Sequence, residues 1–163
     1  MAAEHVFYEE NSTGVGGDVQ SATVLACIMV GLCGMGPKPI DVDGRFDDPA
    51  EAEQASEKIM TRFEKIGLQI MNRAQSGGPM QKDPVARILS DHDKRVAVGR
   101  LLGQAYLTAY CTIAHNRDGV ERIAETLIER RELHGDEVVE VLDEVGLRRP
   151  DIDLLDERTW PRI

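Results

Sequence analysis

The sequence predicts an all-α helical bundle of about five to six helices, and three observations carry that expectation. Apolar residues recur three and four positions apart through most of the chain, the spacing of one helix face. No stretch alternates apolar and polar residues in the manner of a half-buried strand. Aromatic residues are only 4% of the 163, which leaves the core to Leu, Val, Ile, Met and Ala. That composition suits helix packing better than a β-sandwich. The length fits one ordinary domain with a real core, and 42% hydrophobic and 29% charged residues place it in the globular regime.

The elements follow in order. Residues 1–10 read as the end of a short helix, with Val6 and Phe7 apolar. Residues 11–17 read as a loop, because Gly14, Gly16, Gly17 and the Ser12-Thr13 pair favour backbone freedom. Asp18 reads as the N-cap of the first strong helix, 18–34. Its apolar series is Ala22, Leu25, Met29 and Leu32, with Ala26 and Cys33 beside it and Gly34 as its stop. Residues 36–48 are loop-like, with Pro37, Pro39, Gly44 and four aspartates. Asp48-Pro49 is a start signal, an N-cap followed by proline at the first helical position, with Glu51 three residues after the cap. The helix it opens runs to Gln75 on a face of Ala52, Ala55, Ile59, Phe63, Ile66 and Ile70. Gly77-Gly78-Pro79 ends it.

Asp83-Pro84 begins a short helix through Leu89. Ser90 reads as the cap of a long helix carrying Val98, Leu101, Leu102, Ala105, Ala109 and Ile113. Gly99 and Gly103 either weaken that helix by about 1 kcal/mol each relative to Ala or permit a neighbouring helix to approach closely. Asn116 is a break and a new cap before the face Val120, Ile123, Ala124, Leu127 and Ile128. His134-Gly135 makes a turn into a last short helix with Val138, Leu142 and Val145 inward and Gly146 as its stop. Residues 147–163 read as an acidic extended tail pinned by Leu154, Leu155 and Trp160.

A net charge of −10 makes nucleic acid and anionic membrane surfaces poor partners. The longest apolar stretch, 24–30, is far short of the roughly 18 residues of a membrane span, and no signal-like segment opens the chain. Cys27, Cys33 and Cys111 match neither a zinc ribbon nor a redox pair, so a reducing cytoplasmic compartment is expected. Met1 runs at once into Ala2-Ala3-Glu4, which reads like the inside of a helix and suggests a truncated or displaced start.

Four candidates for chemistry arise. The stretch from Gly31 to Lys38 has the glycines and lysine of a phosphate loop. Pro37 parts the lysine from the last glycine, and proline removes an amide that would cradle phosphate. His5, His92, His115 and His134 form no HExxH pair, and the acids beside His134 are explained by helix capping. Cys111 and His115 stand four apart on one helix face, but no basic cluster or helix N-terminus activates the thiol, so a core cysteine beside a surface histidine is the better reading. Asp18 taken alone is a helix cap.

Asp18 gains weight through a resemblance. Ala2-Ala3-Glu4, the loop from Ser12 through Gly17 to Asp18, and Gln20-Ser21-Ala22-Thr23 resemble the second half of the FtsH-type peptidase domain. There a Gly-Arg-Ala-Ala-Glu helix precedes a Thr-Gly-x-x-Asn-Asp-hydrophobic-x-x-Ala-Thr segment and a Gly-Met pair, here Gly34-Met35. The stretch from Val120 through Gly135-Asp136-Glu137-Val138 to Leu142 is similar to that family's ending. Gly17 stands where the family has asparagine. The resemblance covers 2–35 and 95–145, so 1–146 is read as a helical peptidase-like domain with 36–91 divergent or inserted.

The resemblance implies an ATP-dependent zinc metalloprotease acting on protein or peptide substrates. Such proteins are membrane-anchored hexamers whose peptidase lies on the cytosolic or matrix side. Zinc is held by the two histidines of HExxH and one later aspartate, to which Asp18 corresponds. HExxH and the ATPase ring are absent here. The chain alone is therefore expected to be inactive and not to bind zinc tightly, with ATP acting only through an absent domain. The alternative is a non-catalytic helical protein-interaction module on a peptidase-like scaffold. The helix after Asp18 is apolar nearly all round, which predicts self-association of the chain as a homo-oligomer.

Overall fold

Seven α-helices and two single 3-10 turns make up the regular structure of the computed structural model, which describes residues 1–10, 12–42, 44–75 and 84–161. The helices are α1 (Ala2–Tyr8), α2 (Gly16–Gly31), α3 (Pro49–Gln75), α4 (Pro84–Ser90), α5 (His92–His115), α6 (Arg117–Arg130) and α7 (Asp136–Val145). No strand occurs among the described residues, as expected. The count exceeds five to six because the short segments α1 and α4 both close into full helices.

The core sits between α3 and α5, with α2 packed across both. The face read for α3 is the face it buries: Ile59, Phe63, Ile66 and Ile70 are all inside. Asp48 starts the helix as expected, its Oδ1 accepting the amide of Ala50 at 2.9 Å. On α5 the buried face differs from the expected one. Val98 and Leu102 are buried, but Ala105 and Ala109 are exposed, and Tyr106 and Leu107 fill the core instead.

Glycine sets the spacing of the central pair. A Cβ on Gly67 would collide with the Gly99 carbonyl, and a Cβ on Gly103 would collide with the Phe63 carbonyl. The backbones of α3 and α5 therefore meet through Gly67, Gly99 and Gly103. Of the two readings, close approach holds for Gly103, whereas Gly99 gives its carbonyl to the contact with Gly67 and has room for a Cβ of its own.

Two long amides hold irregular segments against α5. Gln104 grips both backbone groups of Lys38: its Oε1 accepts the amide at 3.0 Å and its Nε2 donates to the carbonyl at 2.7 Å. Asn116 treats Arg148 the same way, accepting its amide and donating to its carbonyl, each at 2.8 Å. Asn116 does separate α5 from α6, but its side chain makes no cap bond to α6. Asp91, not Ser90, caps α5, its carboxylate accepting the Lys94 amide at 3.1 Å. That bond and the Lys94 side chain hold its pKa below the usual carboxylate value. The Ser90 hydroxyl donates to the Arg87 carbonyl within α4. Gly77, Gly78, Pro79 and Asp83 lie outside the described residues.

The segment after α7 returns to the core. Trp160 stacks on Phe63 with centroids 4.9 Å apart, and the Arg62 guanidinium lies 4.2 Å from the indole centroid. Arg45 pairs with Asp153 at 2.9 Å. By sequence the segment is charge-balanced rather than acidic, since Arg148, Arg149, Arg158 and Arg162 offset Asp151, Asp153, Asp156 and Glu157.

The last two helices bury less than expected. α6 buries no residue, and Leu127 and Ile128 are exposed. On α7 Val141 is buried and Val145 is half-buried beside Gly119, as expected for Val145, while Val138 and Leu142 are exposed. A periodic apolar pattern marks a face but not what covers it.

The cysteines make a test of this packing. Cys33 is exposed, Cys111 is half-buried with its Sγ 3.9 Å from the Thr159 carbonyl, and Cys27 is fully buried. Burial pushes the Cys27 thiol up to about 11. A thiol reagent at neutral pH is expected to label Cys33 first, Cys111 more slowly and Cys27 only on unfolding. Equal labelling of all three in the native protein would contradict the fold.

Candidate functional site

The candidate site lies where α1, the 3-10 turn Thr13–Val15 and the start of α2 meet. The two ends of the N-terminal sequence pattern touch there. Ser12 Oγ donates to Glu4 Oε1 at 2.6 Å and accepts the Gly14 amide at 3.2 Å. This bridge fixes the turn to α1, and buried Val15 anchors the turn to the core. α1 is held in turn by α5 and the first residue of α6. His5 Nδ1 is 2.8 Å from the Tyr106 hydroxyl, and Arg117 donates to the Val6 carbonyl at 2.8 Å.

Asp18 is not the N-cap. Gly16 and Gly17 are already helical, the cap is Val15 with no side-chain cap bond, and Asp18 is the third residue of α2. The glycines that read as a loop form the first turn, because Val15 and Val19 are buried on either side of it. In that turn a carboxylate still meets the favourable end of the helix dipole. It is exposed, and no hydrogen bond or ion pair engages it among the described residues.

The face that carries Asp18 is informative. Helical spacing puts Asp18, Ala22, Leu25, Met29 and Leu32 on one side. Leu25 is 58% exposed and Leu32 68%, and Met35 beyond the helix end is exposed too. Val19, Thr23, Ala26 and Cys27 occupy the opposite, buried side. From Val19 to Pro37 no Asp, Glu, Lys, Arg or His interrupts the stretch. Asp18 thus stands at the head of an uncharged, uncovered apolar stripe.

The other candidates are not brought to it. Among the described residues no group of three or more His, Cys, Asp or Glu could hold a metal ion. Asp18 is one oxygen donor, not a site, and these residues by themselves do not fit a zinc ion. His5 is engaged by Tyr106, and His134 lies 3.4 Å from Glu132 on the exposed turn. Cys111 faces the Thr159 carbonyl, and burial raises its pKa, the opposite of activation. Lys38 is bound through its backbone by Gln104, and a Cβ on Gly31 would collide with the Ile88 side chain, so that stretch forms no phosphate cradle. The Glu4–Ser12 bridge, eight positions apart across the end of α1, has no signal in the sequence.

Comparison with known proteins gives consistent but distant similarity. The chain is 29% identical over 144 residues to ATP-dependent zinc metalloprotease FtsH 1 of Thermomicrobium roseum, covering 88% of this chain and 19% of that one. It is 29% identical over 148 residues to ATP-dependent zinc metalloprotease FTSH 2, chloroplastic, of Oryza sativa, covering 88% and 18%. It is 26% identical over 152 residues to ATP-dependent zinc metalloprotease FtsH of Thermus thermophilus, covering 92% and 20%. No family model and no solved structure matches. The chain is thus distantly FtsH-like in sequence and spans about a fifth of the length of these relatives. Among the described residues no helix is long and apolar enough to cross a membrane.

Proposed function

We propose that this chain is the C-terminal half of an FtsH-type peptidase domain, with Asp18 as the single zinc ligand it contributes. One observation carries the reading: a free carboxylate heads an exposed apolar stripe on the helix whose sequence resembles that family's third-ligand segment. A polypeptide that covers Ala22, Leu25, Met29 and Leu32 would be carried to Asp18 by the same contact. An HExxH helix on that polypeptide would supply the two histidines and the glutamate base. The role of this chain's residues is positional. Val15 and the Glu4–Ser12 bridge fix the start of α2, and the first turn aims the carboxylate. When bound, zinc would supply Lewis acidity toward a peptide carbonyl.

ATP would act only through a ring outside this chain. The substrates would be proteins or peptides, in a homo-oligomeric assembly whose parent is membrane-anchored with its peptidase on the cytosolic or matrix side. The exposed apolar residues of α6 and α7 favour a second reading, a non-catalytic interaction module.

Fusing the chain behind the HExxH-bearing half of an FtsH-type peptidase domain separates the two. Zinc-dependent hydrolysis of an unfolded protein is expected, and Asp18→Asn should lower it by about a hundredfold or more. Leu25→Glu with Leu32→Glu should prevent the two halves from packing. A folded fusion with no hydrolysis, or hydrolysis indifferent to Asp18, would favour the module.

A further inference from the structure

A second surface lies on α3, away from the residues of α2 discussed above. A cleft of about 400 Å³ runs between α3 and the segment after α7, lined by Phe46, Ala55, Ile59, Leu154 and Leu155 with Lys58 and Arg62 along it. Lys65 continues the basic row one turn on, so Lys58, Arg62 and Lys65 stand at i, i+4 and i+7. Arg62 is occupied by Trp160, but Lys58 and Lys65 are exposed and make no ion pair among the described residues. Glu57 beside them is neutralised by Arg100 at 2.6 Å, and Glu51 at one end of the cleft is the remaining acid. A basic row over an apolar floor is unexpected on a chain of net charge −10.

The same chain carries its complement. α7 holds five acidic residues and no basic one. Asp136, Glu140 and Asp143 stand at the same i, i+4, i+7 spacing, exposed and unpaired among the described residues. Val139 and Leu142 are exposed alongside them, at 55% and 40%. Both charged rows span about 10 Å at the helical rise of about 1.5 Å per residue. Within one copy α7 packs on α6, so its acidic face is free to meet another molecule.

We infer that α7 of one copy docks in the α3 cleft of a second copy, acids against lysines and Val139 and Leu142 on Phe46, Leu154 and Leu155. The contact is head-to-tail, so each copy keeps one free cleft and one free α7 and assembly proceeds to a ring or an open chain. It is independent of the zinc reading, which uses α2.

Sedimentation of the full chain at low salt tests this. The wild type should exceed the 18.0 kDa of one chain and shrink toward it as sodium chloride is raised, since exposed charge pairs are screened. Lys58→Glu with Lys65→Glu, or Glu140→Lys with Asp143→Lys, should each weaken association by roughly tenfold or more. Mixing the two variants should restore it, because each copy then meets a complementary partner. Circular dichroism verifies that the variants remain helical, and the salt series on the wild type stands without them. A monomeric wild type, association that strengthens with salt, or mixing that restores nothing would overturn the proposal. So would association lost only on Leu25→Glu, which would assign it to α2.

Discussion

Alanine at Gly103 or Gly67 is expected to lower stability by about 3 kcal/mol or more, against about 1 kcal/mol of helix propensity that alanine alone would add. At each position the added methyl meets a backbone carbonyl of the facing helix, and backbone cannot rotate aside as a side chain can. Relief requires α3 and α5 to separate, which loosens Phe63, Val98 and Leu107 together. The internal control is Gly99. Its nearest neighbour is the Glu64 carbonyl oxygen at 3.4 Å, ordinary contact, so Gly99→Ala should be close to neutral. Thermal unfolding checks the contrast: the two colliding variants should melt about 10 °C lower, and Gly99→Ala should not. Equal effects at all three sites would show that propensity, rather than close approach, governs these glycines.

Phe63→Ala should cost about 3–5 kcal/mol, the range for removing a large aromatic from a core. Phe63 is 2% exposed and lies between α5 and Trp160. Its loss opens a cavity and removes the surface on which the returning segment rests. Trp160 is the only tryptophan, so its emission reports the second effect separately. Native emission should be blue-shifted, and in Phe63→Ala it should move to the red before global unfolding. Unchanged emission would mean that Leu154, Leu155 and the Arg45–Asp153 pair hold that segment without the stack.

The contrast between these helices and the last two explains how much was legible in the sequence. The α3 face was readable because a long helix repeats its apolar stripe many times and is buried by neighbours on that stripe. Asp48-Pro49 was readable because a cap acts within its own turn. On α7, Val138, Val139, Val141, Leu142 and Val145 offer two apolar faces to the eye, and only the fold decides that Val141 is buried and Val138 and Leu142 are not. Tyr106 and Leu107 were missed because core partners across α5 are tertiary facts. Local preference favours a loop at Gly16 and Gly17, and burial of Val15 and Val19 overrides it. That correction moves Asp18 from the cap into the first turn. The Gln104–Lys38 and Asn116–Arg148 grips, across 66 and 32 positions, left no local trace at all.

For the candidate site, the sequence offered Asp18 and its resemblance, and the structure added its surroundings: an unpaired carboxylate at the head of a bare apolar stripe. We propose that Asp18 completes a zinc centre whose other ligands lie on a covering polypeptide. Zinc content after dialysis against a weak chelator tests it most directly, measured on the chain alone, on its fusion to an HExxH-bearing half, and on that fusion with Asp18→Asn. Substantially less than one equivalent is expected on the chain alone, one on the fusion, and strongly reduced retention in the variant. Stoichiometric zinc on the chain alone, or retention unaffected by Asp18→Asn, would contradict it.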